Sequence, residues 1–247
     1  MRASALLVAR SLLLAGTLCV AGCESAAPAS TGGGERAPAS AVDWAGQRAV
    51  PVAAAVVPTT PTVAKETWVL HIGDSFVHAS LAKNLAPRFK AAGANYVVDA
   101  TTATYTTTWS ADEGLEKWLA RRPSLVIVTL GANEVEMPVP TEHAFAIEHL
   151  VHKIAATGSA CVWMTPPMWK KDTGILQVIH DHGAPCLFFD SDAVLGGLSD
   201  DERQRDHIHP NERGGLRWTE AFWQWLVTHR DPANPGWALV PFELRGA

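Results

Sequence analysis

The sequence predicts an α/β fold built on a parallel sheet. Two observations carry this expectation. Five short apolar runs end near Gly, Thr or Asp, as strands covered on both faces do, and segments of helical period separate them in strict alternation. The candidate strands are residues 68–72, 96–99, 125–130, 161–165 and 186–189. The candidate helices are residues 76–92, 111–121, 142–156, 173–181 and 212–229. Right-handed crossovers then make the sheet parallel, and ligands of such sheets bind beyond the carboxyl ends of the strands. In the last helix Trp218, Phe222 and Trp225 recur at helical spacing, which reads as core packing.

The fold does not use the whole chain. Of 247 residues, 47% are hydrophobic and 18% charged. Residues 1–22 carry Arg2 and Arg10 followed by an apolar stretch too short to span a bilayer, the pattern of a secretory signal. It ends Val20-Ala21-Gly22-Cys23, which resembles the lipobox of bacterial lipoproteins; that resemblance implies cleavage before Cys23, lipidation of Cys23 and attachment to a membrane of the bacterial envelope. Residues 23–66 lack any sustained period and are rich in Ala, Gly and Pro, with five prolines between positions 24 and 66, so they read as a tether. The apolar run 52–57, flanked by Pro51 and Pro58, reads as an extended segment. One folded domain, residues 67–247, remains. Without Arg2 and Arg10 the charge moves from −5 to about −7. With no long basic run, this argues against a nucleic-acid-binding surface.

Chemistry-bearing residues stand just after the candidate strands. Gly73-Asp74-Ser75 follows the first and puts a hydroxyl on a strand-to-helix turn, where backbone N–H groups face a developing negative charge. Gly131-Ala132-Asn133 follows the third and offers a side-chain amide to the same cleft. Asp206-His207-Ile208-His209-Pro210 precedes the last helix, and a carboxylate three residues ahead of a His can reach Nδ1 and leave Nε2 for the Ser hydroxyl. His207 competes with His209; the spacing from Asp206 and the following Pro210 favour His209. Ser75 read alone would be a helix N-cap, and Asp74 is a turn-bonding residue rather than a second acid.

With these three motifs in this order, the domain resembles the SGNH (GDSL-type) hydrolase superfamily of esterases and acyl-group hydrolases. The resemblance implies a three-layer α/β/α sandwich, flavodoxin-like, with a five-stranded parallel sheet in the order 2-1-3-4-5. It implies Ser75 as nucleophile, Asp206 and His209 as the rest of a triad, and Asn133 with the Ser75 N–H in an oxyanion hole. One departure concerns the glycine that usually follows the second strand and supplies another N–H. Here the segment runs Asp99-Ala100-Thr101-Thr102-Ala103-Thr104-Tyr105, so Thr104, with Ala103 next, is expected in its place, provided a residue with a Cβ can reach the local φ and ψ. Glu134 stands where an Asp often follows the Asn.

The rest of the sequence narrows the chemistry. Ten His include close pairs but no HExxH or Cys–His zinc spacing, and no glycine-rich phosphate loop occurs, so neither metal nor cofactor is expected. Cys161 and Cys186 either pair in an oxidising compartment or stay as two buried thiols. Trp109 after the second strand and Trp169 after the fourth could stand at the cleft mouth and stack on sugar rings, and His78 could line the pocket; each has a packed reading as well. The expected activity is hydrolysis of an ester, an O-acetyl or other short acyl group on an envelope carbohydrate, through an acyl-Ser intermediate. The alternatives are a small-ester or lipid esterase, an acyltransferase to a glycan hydroxyl, and a silent glycan-binding lipoprotein.

Overall fold

The structure, a computed structural model, describes residues 67–234 and 236–240. The signal segment 1–22, the tether 23–66 with its apolar run 52–57, the lipidation site Cys23 and the last seven residues of the domain lie outside the described residues. Among the described residues no helix is long and apolar enough to cross a membrane.

Five parallel strands, β1 (Trp68–Gly73), β2 (Asn95–Ala100), β3 (Leu125–Thr129), β4 (Ala160–Met164) and β5 (Leu187–Phe189), form one sheet in the order β2-β1-β3-β4-β5. The register sets Gly73 beside Ala100 on one side and Thr129 on the other, so three strand ends meet at one point. Alternate residues of the central strands face opposite layers, as the period of 2 requires. Val69, Leu125, Ile127, Val162 and Met164 pack with Leu85 and Phe89 of α1 (Ala82–Ala91) and with Trp218, Phe222 and Leu226 of α7 (Glu212–His229). Leu70, Ile72, Val126, Val128 and Trp163 pack on the other face. Their partners come from α3 (Glu113–Leu119), α4 (Ala144–Ala155) and α5 (Ile175–His182). The result is the expected three-layer sandwich, with the last helix on residues 212–229 as its periodicity indicated.

Two short helices differ from expectation. Helix α2 (Thr106–Ser110) forms in a threonine-rich stretch of low helix propensity, and α6 (Ser191–Leu195) follows β5 directly, capped by Asp190 accepting from the Ala193 N–H. Both draw on contacts that propensity does not register.

Cys161 and Cys186 are joined in a disulfide, with Cα atoms 4.5 Å apart. It closes a loop across a sequence separation of 25 and lies toward the amino ends of β4 and β5, the side of the sheet away from Ser75. Cys161→Ser is expected to cost roughly 3 kcal/mol, read as a lower urea midpoint. Equal midpoints for the variant and the oxidised wild type would contradict this.

Candidate active site

The Gly73-Asp74-Ser75 turn begins where β1 runs out of room. A Cβ on Gly73 would lie 2.4 Å from the Thr129 carbonyl oxygen and 2.6 Å from Val77 Cγ2, so only glycine lets the chain pass. Asp74 donates its N–H to the Thr129 carbonyl at 3.3 Å, and its Oδ1 accepts from the Phe76 N–H at 3.0 Å, which closes a tight turn. Ser75 then opens a helical segment that runs through a π-helical turn, Val77–Leu81, into α1. First-turn N–H groups such as that of Ser75 have no intrahelical acceptor.

Asp206 and His209 come from the turn before α7. Asp206 Oδ1 accepts from the backbone N–H groups of Ile208 and His209 at 2.9 and 3.0 Å. His207 absorbs the bend with a positive φ of 59°. This leaves Oδ2 free to meet His209 Nδ1 at 2.7 Å, and His209 Nε2 lies 2.8 Å from Ser75 Oγ. Asp206, His209 and Ser75 are thus linked as the sequence proposed, and the bond to Asp206 selects the tautomer with hydrogen on Nδ1. The Phe76 ring, buried and 5.0 Å from the imidazole centroid, backs His209. Burial works against the Asp206 charge, yet the bonds from His209 and the two backbone N–H groups hold its carboxyl down at about 2. His207 stays exposed, its Nδ1 3.8 Å from Asp200, and does not reach Ser75.

Asn133 rides on a 3-10 turn, Ala132–Glu134, that follows Gly131, whose φ of 123° suits glycine. Its Nδ2 donates to the Thr104 carbonyl at 2.7 Å and more loosely to Asp74 Oδ2 at 3.3 Å. The next residue, Glu134, accepts from the Thr106 N–H at 2.6 Å through Oε1. Two neighbours therefore grip the 101–106 loop on both sides of Tyr105. The positive φ falls on Ala103, at 58°, and not on Thr104, so the missing glycine is replaced by a residue with a Cβ in the left-handed region next to a threonine in an ordinary conformation. Thr104 is further fixed by its Oγ1, which donates to the Thr101 carbonyl at 2.7 Å and accepts from Trp109 Nε1 at 3.0 Å.

The cleft over Ser75 and His209 measures about 180 Å³ and is walled by Asn133, Val135, Glu136, Trp169 and Ile208. Trp169 stands at the cleft as expected. Lys170 joins it from the rim, with Nζ 2.8 Å from Glu136 Oε1 and 4.4 Å from the Trp169 ring centroid. Two expectations need correction. Trp109 is 2% exposed and packs under the 101–106 loop, because its indole finds both an apolar bed and an acceptor there; it is absent from the cleft mouth. His78 is exposed, bonds the Ala100 carbonyl at 2.7 Å and does not line the cleft, since the π-helical turn directs it across the end of β2. Among the described residues no group of three or more His, Cys, Asp or Glu could hold a metal ion.

A comparison with family profiles matches residues 71–215 to one described as the GDSL-like Lipase/Acylhydrolase family. The chain belongs to that family. This GDSL-like acylhydrolase is accordingly a hydrolase acting on ester bonds. Its fold is shared by the esterase EstA from Pseudoalteromonas sp. at 19% identity, covering 64% of this chain and 96% of that one with a TM-score of 0.51. Axe2, an acetylxylan esterase from Geobacillus stearothermophilus, matches at 16% identity over 73% of this chain and 100% of its own, TM-score 0.51. A carbohydrate esterase family 3 protein from Talaromyces cellulolyticus matches at 15% identity over 66% and 97%, TM-score 0.52. A comparison with curated proteins finds no match.

In the GDSL-like domain two buried groups under the site titrate in opposite senses. Burial, reinforced by the nearby Glu134 charge, raises the Asp74 carboxyl to about 7 against the pull of the Phe76 N–H. Burial, with the His78 charge, lowers His71 to about 3; its ring spans Tyr96 Oη at 2.6 Å and Thr129 Oγ1 at 2.8 Å. Between about pH 4 and 6.5 the folded chain keeps a proton on Asp74 that the unfolded chain has lost, which lowers stability as pH rises. Over the same range the unfolded chain protonates His71 while the folded chain does not, which raises stability as pH rises. The two slopes offset each other. His71→Gln is expected to remove the second slope, so that its Tm falls from pH 4 toward 7 more steeply than that of the wild type; parallel curves would contradict the assignment.

Proposed function

We propose that the chain is a serine esterase that removes short acyl groups, acetyl foremost, from an acylated carbohydrate of the bacterial envelope, working through an acyl-Ser75 intermediate. The observation that carries this reading is His209, whose two ring nitrogens lie 2.7 Å from Asp206 and 2.8 Å from Ser75. Ser75 Oγ attacks the ester carbonyl while His209 Nε2 takes its proton, and Asp206 stabilises the imidazolium that forms. The oxyanion is held by the N–H groups of Ser75 and Thr104 and by Asn133 Nδ2. His209 returns the proton to the leaving sugar oxygen, the ester C–O bond breaks, and water activated by the same imidazole releases acetate and frees Ser75. A cleft of about 180 Å³ with Trp169 on one wall favours a small acyl group beside a sugar face. The reading also draws on the structural neighbours named for acetylxylan and carbohydrate esters. Lipidation of Cys23 would anchor the enzyme to an envelope membrane.

A fluorophosphonate probe and a pair of substrates test this. Labelling at Ser75 and acetate release from an acetylated glycan are expected, with p-nitrophenyl acetate preferred over the hexanoate by at least about tenfold in kcat/KM. Binding of the glycan without labelling, or equal rates on both esters, would overturn the reading. For the anchor, metabolic labelling with palmitate is expected in the full chain and lost in Cys23→Ser.

A further inference from the structure

We propose that Arg203, with Asp192, is a positioning pair that sets the width of the cleft by fixing the loop bearing Trp169 against the loop bearing His209. Arg203 is 7% exposed, and its guanidinium is spent on two carbonyls from different parts of the chain. Nη1 donates to the Ile208 carbonyl at 2.6 Å and Nη2 to the Met168 carbonyl at 2.7 Å. Each of those carbonyls belongs to the peptide that leads into a cleft residue, His209 in one case and Trp169 in the other. Met168 is held on its other side as well, because Asp192 Oδ2 accepts the Met168 N–H, in the preceding peptide, at 3.1 Å.

The arm is anchored at its root. The Arg203 N–H donates to the Asp200 carbonyl at 3.1 Å, its own carbonyl accepts from Asn211 Nδ2 at 2.9 Å, and its backbone bridges Pro210. The adjoining Gln204 N–H donates to the His209 carbonyl at 2.7 Å. Burying a cation whose direct partners are neutral carbonyls is a costly way to join two loops, and the nearby Asp192 charge offsets part of that cost. What the guanidinium offers in return is a rigid planar fork, so the two carbonyls cannot separate without losing a bond each. A lysine ammonium in that place would satisfy one carbonyl and leave the other loop free.

This inference rests on the reading of Ser75 and His209 as nucleophile and base. A residue that only stabilises the fold would lower Tm and leave substrate preference untouched. Arg203→Lys is expected to lower kcat on p-nitrophenyl acetate by about 10- to 100-fold, as a misplaced base does, and to shift the acetate-to-hexanoate ratio of kcat/KM toward hexanoate by at least about fivefold. Trp169→Ala should shift the ratio the same way, and the double variant should shift it no further than the larger single effect, since both act on one wall. Should Arg203→Lys fail to accumulate as folded protein, Asp192→Ala takes its place, because it releases the same residue, Met168, at its N–H; the shift in ratio is expected there too. An unchanged ratio in the folded variant overturns the proposal. A Ser75→Ala enzyme that retains the wild-type rate overturns the underlying reading instead, so the two failures are distinct.

Discussion

Ser75→Ala is expected to reduce kcat on p-nitrophenyl acetate by on the order of 10⁴- to 10⁶-fold while leaving KM within a few-fold of wild type. The attacking oxygen is the only atom removed, and the apolar bed of Phe76 and the bond between Asp206 and His209 stay in place. His209→Ala should fall by a similar factor, because without Nε2 at 2.8 Å nothing takes the hydroxyl proton as the bond to carbon forms. The double variant should be no slower than the worse single one, since the pair acts as a unit. Steady-state rates on the purified protein, with near-ultraviolet circular dichroism to confirm packing, settle the matter; more than roughly a tenth of the wild-type rate in either single variant would refute the assignment.

The second large effect is at Asn133. Asn133→Ala is expected to lower kcat by about 10²- to 10³-fold with little change in KM, the signature of a donor that acts on the oxyanion more than on the bound ester. Its amide has a second task, because one hydrogen is committed to the Thr104 carbonyl at 2.7 Å while the 3.3 Å contact to Asp74 is weak enough to be exchanged for the oxyanion. Phosphonylation of Ser75 builds the same negative charge in the same place. Labelling by a fluorophosphonate should therefore slow in proportion to ester hydrolysis. A loss confined to about fivefold in both would remove Asn133 from the oxyanion hole.

The residues whose roles depend on short-range geometry were legible in the sequence. A spacing of three lets Asp206 reach Nδ1 of His209 within one turn, and a glycine before the nucleophile announces a passage too tight for a side chain. The alternation of strands and helices carried the sheet because each run is apolar on both faces. The 101–106 loop was legible only as a departure. Its helix α2 begins where Glu134, 28 residues further on, takes the Thr106 N–H, and no local propensity encodes that bond. Trp109 shows the same limit from the other side: its place after a strand suited the cleft mouth, but a 3.0 Å bond to Thr104 and the apolar bed under the loop draw it inside. Arg203 could not be read at all, since one of its two carbonyl targets lies 35 residues away.

The paired grip of Asn133 and Glu134 on the loop without a glycine has a kinetic consequence. An oxyanion hole speeds a reaction to the extent that its dipoles already point the right way before charge arrives, so the relevant quantity is reorganisation energy rather than contact strength. Because the Asn133 side chain, proposed to meet the oxyanion, also holds the Thr104 carbonyl, the amide and the loop cannot drift independently. Glu134 at the next position limits their joint motion. A chain built this way can vary the loop's own residues, glycine included, and keep the site's dipoles poised, because their alignment is stored in the 3-10 turn after β3.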